Sequence, residues 1–171
     1  MRILMCILLF SPLLGIAQKN DVFIQLTNAS GKQIKGDAVL KGFENWMGAT
    51  TFNTASKTNT LLSFTMTVNG ASADLKKAAA NGEILLGGQV TVITPNPSGG
   101  KPMISYTIKM ENISVLSCYE SMGCNNAMNT TVSLQAARIG WTYYNTSATG
   151  AQTVSRKFGW DSDRNQDWTS F

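Results

Sequence analysis

The chain has 171 residues, of which 43% are hydrophobic, and a formal net charge of +4. This length and composition fit one domain with a sizeable apolar core. The absence of histidine excludes Ser–His and Cys–His nucleophile pairs, and we expect neither enzymatic activity nor a bound cofactor or metal. The basic residues are scattered and form no stripe with interleaved aromatics, so we expect no nucleic-acid partner.

The first 17 residues have the features of a signal peptide. The positively charged Arg2 precedes an apolar run, and Gly15 and Ala17 place small residues at −3 and −1 of a cleavage site. The apolar run is too short to span a bilayer. We therefore predict a signal peptide over residues 1–17 and one domain over residues 18–171, exported across the inner membrane to the periplasm or the medium.

Two segments near the start of this domain alternate between apolar and polar residues. Val22–Thr27 and Leu62–Val68 each place an apolar side chain at every second position. This period of two is typical of an antiparallel strand that has one face on the core and the other in water. The pattern therefore predicts two such strands.

One segment, Ala71–Gly82, predicts a helix. Ser72 is suited to cap its first turn, and Gly82 is suited to the left-handed position that ends it. A small apolar stripe that can lie on a sheet is formed by Leu75, Ala78 and Ala79.

Two further strands are predicted after the helix. Ile84–Ile93 is rich in apolar residues, and Ile104–Glu111 again alternates with period two. The intervening Thr94–Pro102 contains several prolines and glycines, which favour a turn. We therefore expect these strands to pair as a hairpin.

Cys118 and Cys124 are the cysteines that follow the predicted leader. Export implies an oxidising compartment, in which a disulfide that closes this short loop is the favoured prediction. The alternative is two unpaired thiols. A zinc site is disfavoured because two thiols without histidine leave the metal short of ligands.

The apolar pattern changes phase within the segment from residue 132 to residue 143. One phase holds Val132, Leu134 and Ala136, and the other holds Ile139, Trp141 and Tyr143. A bulge near Ala137 and Arg138, or a strand covered on both faces, would explain the change. Cover on both faces suggests a second subunit outside. We therefore take Trp141 and Tyr143 as candidate interface residues, because aromatics dominate interface energetics.

Several short motifs occur in an order that resembles the haemolysin-coregulated protein (Hcp) family, the tube protein of the type VI secretion system. The resemblance extends over nearly the whole domain. Its motifs are Asp21–Leu26, Phe64–Met66, Ala73–Ala78, Asn81–Glu83, Val90–Val92, Val132–Leu134, Ile139–Tyr143 and Gly159–Asp161.

The resemblance implies a mainly β fold, a closed antiparallel barrel of about six strands with one short helix. It also implies assembly into hexameric rings, which in this family stack into a hollow tube that can hold small effector proteins. No catalytic residues come with the family. The segment Gly48–Thr60 corresponds to the family's extended loop, used in ring stacking.

The predicted leader departs from the family pattern, because the family's tube protein assembles in the cytoplasm and begins just before the first strand. We therefore expect an exported variant, a non-enzymatic ring-forming structural or carrier protein. The alternative is a small outer-membrane β-barrel, which a signal peptide and alternating strands also permit. The helix and the short strands disfavour that alternative, so we expect no membrane insertion.

Overall fold

The computed structural model describes residues 21–54, 60–96, 101–123, 126–147 and 150–171. The predicted signal peptide lies outside these residues and stays a prediction. The described elements are β1 Asp21–Thr27, β2 Gln33–Ile34, β3 Met47–Thr54, β4 Leu61–Thr67, α1 Gly70–Asn81, β5 Ile84–Thr94, β6 Met103–Met122, β7 Met128–Thr146, β8 Gln152–Asp161 and β9 Gln166–Asp167.

Six of the strands close into a barrel. They follow the order β4-β3-β1-β5-β6-β7, and the pairing of β7 with β4 closes the circle. All of these pairs are antiparallel. The predicted six-stranded antiparallel barrel with one helix is therefore confirmed.

The strand β7 is shared between the barrel and an extension of the sheet. One of its edges pairs with β6 over nearly the whole length. Its other edge pairs first with β4, from Asn129 to Gln135, and then with β8, from Arg138 to Thr146. Because β4 and β8 divide this edge, β8 and the short β9 lie outside the closed barrel.

The barrel interior is filled by apolar side chains. Residues from every strand of the barrel contribute, with Ile24 on β1, Phe64 on β4 and Ile108 on β6 each at most 1% exposed. The outward positions of these strands are mostly polar, as at Gln25 and Lys109. This arrangement is the reverse of an outer-membrane barrel, whose outer band is apolar and whose interior is polar.

The change of phase near Ala137 has a counterpart on the neighbouring strand. On β7 the side chains that pack in the core are at even numbers up to Ala136 and at odd numbers from Ile139, followed by the half-buried Trp141. On β6 the buried positions also move, between Met110 and Ile113. Asn112, which lies between these two residues, has a left-handed backbone with φ of 52°. Asparagine tolerates this conformation, so it can rotate the following side chains to the other face.

The helix α1 covers part of the same core with Ala71, Leu75 and Ala78. Its N-cap is Asn69, whose side chain accepts a hydrogen bond from the Ala71 N–H at 2.9 Å. The predicted cap at Ser72 is wrong, because Ser72 occupies the third helical position and completes a capping box with Asn69. The end at Gly82 is confirmed, with φ of 64°.

The segment from Gly48 is a strand where it is described. Its residues up to Thr54 belong to β3 and pair with β4, with a shift of register between Ala49 and Thr51. Residues 55–59 lie outside the described part of the chain. The expected extended loop is therefore, over its described part, one arm of a β3–β4 hairpin.

Candidate assembly surface

Trp141 and Tyr143 lie on one face of the part of β7 that pairs with β8. Trp141 is half-buried against the core, and its ring stacks on Phe158 of β8 with centroids 5.6 Å apart. Tyr143 is 45% exposed and stacks on Tyr106 of β6, also at 5.6 Å. Both pairs are direct cross-strand neighbours. The structure therefore gathers four rings into one surface, named the aromatic face: Tyr106, Trp141, Tyr143 and Phe158.

The strand β8 presents an open edge beside the aromatic face. All seven residues from Gln152 to Phe158 are exposed. Within the described ranges, no strand pairs with the far edge of these residues, because β9 meets only Trp160 and Asp161. An unpaired edge offers backbone N–H and C=O groups to another strand. Phe158 is therefore part of the surface, although it is not among the candidate interface residues from the sequence.

The open edge is positively charged. Arg156 and Lys157 are both exposed on β8. The described residues contain two ion pairs, Lys76 with Glu120 and Arg138 with Glu111, and neither involves Arg156. A strand that adds to this edge would therefore be favoured by a carboxylate near Arg156.

The aromatic face also perturbs one ionisable group. Burial raises the pKa of the Tyr106 hydroxyl, and the nearby Tyr143 raises it further. The phenol therefore stays neutral through the physiological range, where it adds no negative charge to the face.

The opposite face of β7 and β8 is covered by the chain itself. Gly140 and Gly159 are direct cross-strand partners, and the ring of Phe171 lies over both of them. Trp168, which precedes it, is only 5% exposed. At Gly140 the outer face of β7 is therefore covered by the segment Trp168–Phe171, named the strap. Cover of β7 by a second subunit stays a prediction.

Cys118 lies in β6, opposite Val132. Its thiol is half-buried, with Sγ 3.9 Å from the carbonyl oxygen of Ser72 on α1. Burial raises the pKa of this thiol, and the nearby Lys76 partly offsets that effect. Cys124 lies outside the described residues, so the disulfide between Cys118 and Cys124 stays a prediction.

The described ranges hold neither a candidate metal site nor a candidate membrane-spanning helix. No group of three or more His, Cys, Asp or Glu side chains there could hold a metal ion. No helix in the same ranges is long and apolar enough to cross a membrane.

The sequence and the fold both resemble proteins of type VI secretion. A family model described as "Type VI secretion system effector, Hcp" matches residues 23–143. No curated protein matches the sequence.

Solved structures of Hcp proteins share the fold. Hcp1 from Salmonella typhimurium aligns with a TM-score of 0.69 at 20% identity, over 87% of this chain and 99% of that chain. A structure described as a type six secretion system protein gives 0.72 at 18% identity, over 88% and 100%. The secreted protein Hcp3 from Pseudomonas aeruginosa gives 0.65 at 18% identity, over 89% and 100%.

Proposed function

Because this chain belongs to the Hcp family of type VI secretion system effectors, we propose that it is a non-enzymatic structural or carrier protein that assembles into a ring, most simply a hexamer. The observation that carries the proposal is the open edge of β8 beside the aromatic face. The seven exposed residues of this edge do not pack in the domain's own core, and they lie next to stacked aromatic rings. An unpaired edge beside an exposed apolar surface is typical of a contact with another chain.

A ring requires a head-to-tail contact that repeats by rotation, so each copy needs two different surfaces that fit each other. The β8 edge and the aromatic face supply one of these surfaces. The occupant we propose is a second copy of this chain, because family membership points to assembly with itself. Backbone hydrogen bonds along β8 would give the contact its register, and Phe158 and Tyr143 would supply apolar anchors.

A carrier role would use the hole of the ring, not the barrel. The interior of the barrel is packed with side chains such as Ile24, Phe64 and Leu134, each at most 1% exposed. Small effector proteins would therefore bind to the surface that lines the ring.

The absence of catalysis is part of the same proposal. The sequence has no histidine, and the described residues hold no candidate metal cluster. Export is also proposed, on the strength of the sequence features of residues 1–17. An outer-membrane barrel is not favoured, because the family match and the apolar interior both oppose it.

The experiment is light scattering after size-exclusion chromatography of the chain and two variants at one position. Phe158→Ser removes an exposed aromatic side chain and should shift the assembly towards monomer. Its circular dichroism should match that of the parent, and its free energy of unfolding should fall by only about 1 kcal/mol. Phe158→Tyr retains the ring and is the matched control, which should assemble normally. Unchanged assembly of Phe158→Ser would show that the aromatic face is not the contact.

A further inference from the structure

The strap contacts β8 and the part of β7 that pairs with β8. The Trp168 N–H donates a hydrogen bond to the Gly159 carbonyl at 3.0 Å. The rings of Trp168 and Phe171 are packed against each other with centroids 4.9 Å apart. The strap therefore extends the short β9 pairing along β8 and then turns over the face of the sheet.

Two glycines make room for the strap. A Cβ atom added at Gly140 would lie 2.6 Å from the Phe171 ring. A Cβ atom added at Gly159 would lie 2.3 Å from the Trp168 carbonyl oxygen and 2.5 Å from the Phe171 ring. Because the two glycines are direct cross-strand partners, they leave a shallow depression in the sheet that holds the Phe171 ring. A side chain at either position would displace that ring.

Two cations fix the strap to different strands. Lys157 of β8 places Nζ 4.2 Å from the centre of the Phe171 ring and also donates to the Phe171 carbonyl. Arg138 of β7 lies 5.6 Å from the centre of the Trp168 ring and pairs with Glu111 of β6 at 2.6 Å. These cation–π contacts link the strap to β7 and β8, and the ion pair of Arg138 with Glu111 extends the link to β6.

The strap and the aromatic face lie on opposite sides of the same two strands. Side chains alternate along a strand, so Gly140 faces away from Trp141, and Gly159 faces away from Phe158. Beyond its backbone ladder with β7, β8 is exposed from Gln152 to Phe158. The strap is thus the cover that holds β8 on the side opposite the aromatic face.

We propose that the strap is a positioning element, which holds β8 against β7 and thereby keeps the open edge and the aromatic face in the geometry that a second copy requires. Its role in assembly rests on the proposed function. An edge strand that is not covered frays. Binding a second copy would then have to order the strand again, and the free energy of that ordering would weaken assembly.

The test is hydrogen exchange of the full chain, measured where it is monomeric, together with light scattering where it assembles. Phe171→Ala should speed exchange of the β8 amides about tenfold, since it removes an aromatic pair and a cation–π contact. Amides of β1 and β5, inside the barrel, should not change. Thr169→Ala alters an exposed residue of the strap and is the matched control, which should behave like the parent.

A second variant shows whether faster exchange of β8 comes from loss of the strap or from a general loss of core packing. Gly140→Ala should also speed β8 exchange, because the added methyl displaces Phe171. The double variant Gly140→Ala with Phe171→Ala should exchange no faster than Phe171→Ala alone, since the methyl then meets no ring. Additive effects, or unchanged β8 exchange in both single variants, would overturn the proposal.

Assembly provides the remaining readout. Both single variants should also weaken the ring, because a second copy binds only the ordered β8 and each contact loses affinity by the factor by which the ordered fraction of β8 falls. A Phe171→Ala ring as stable as that of the parent would overturn the strap's role and leave the proposed function intact. A parent chain that stays monomeric would overturn the proposed function, while β8 exchange would still decide whether the strap holds β8.

Discussion

Trp141 and Phe158 face each other across β7 and β8, with ring planes inclined by 19° and centroids 5.6 Å apart. The two rings differ in their surroundings. Trp141 packs against the barrel core, whereas Phe158 is 50% exposed. One pair therefore joins the interior of the domain to the surface that we propose for assembly.

This difference predicts distinct effects of two substitutions. Trp141→Ala should lower the free energy of unfolding by about 3 kcal/mol, because it opens a cavity at the edge of the core. Phe158→Ala should cost about 1 kcal/mol, the value of one aromatic pair. Chemical denaturation of monomeric protein measures both. Equal losses would contradict the placement of Trp141 against the core.

The helix contact with the barrel gives a second prediction. Leu75 is fully buried in the common core, so Leu75→Ala should lower the free energy of unfolding by about 2–5 kcal/mol. Lys77→Ala, at an exposed position of the same helix, is the control and should change it by less than about 0.5 kcal/mol. A small effect of Leu75→Ala in urea unfolding would show that α1 is not part of the core.

The capping box gives a third prediction. Asn69→Ala removes the acceptor for the Ala71 N–H and should cost about 1 kcal/mol. Ser72→Ala should cost at least as much, because the Ser72 hydroxyl also bonds the buried Thr130 hydroxyl at 2.7 Å. Thermal unfolding of the two variants checks the order. A harmless Ser72→Ala would argue against the Ser72–Thr130 contact.

The cysteines give a fourth test. The sequence predicts that Cys118 and Cys124 are bonded in exported protein, whereas the extended geometry after Cys118 predicts two free thiols. Thiol labelling under denaturing, non-reducing conditions distinguishes the two, because a bonded pair takes no label and free cysteines take two. The described geometry opposes the bond. Residues Cys118–Met122 are extended, which separates the Cα atoms at their ends by about 13 Å. The chain beyond Met122 would have to return towards Cys118, since bonded cysteines have Cα atoms within about 7 Å.

The Cys118 thiol of reduced, folded protein gives a further check. Because burial raises its pKa, less thiolate is present at neutral pH, and alkylation should be slower than in the unfolded chain. The raised pKa also makes the stability of the folded protein depend on pH. The contribution of this neutral thiol is present at low pH and is lost as pH rises through the folded-state pKa. Alkylation rates measured against pH test the direction of the shift.

Much of the barrel could be predicted from the sequence, because period-two alternation such as that of Ile24 and Leu26 follows directly from one-sided burial. The sequence does not predict that β6 runs continuously from Met103 to Met122. Its alternation breaks at Asn112, and a local change of backbone handedness leaves no periodic signal. The motifs of the whole chain, taken in order, were needed to predict closure of the sheet.

The candidate surface was predicted in part. The change in apolar phase after Ala136 predicts Trp141 and Tyr143 as interface residues. The structure places both on the aromatic face. The strap was missed, because Trp168 and Phe171 follow a polar turn and belong to no alternating segment. Its only sequence signal is the pair Gly140 and Gly159, which acquires meaning when the strands are aligned in register.

The most direct test is the native mass of the protein purified after export, measured by light scattering or native mass spectrometry. We expect a closed ring of about six copies at tens of micromolar protein, which dissociates in Phe158→Ser. A folded species with the mass of one chain, over the same concentration range, would contradict it.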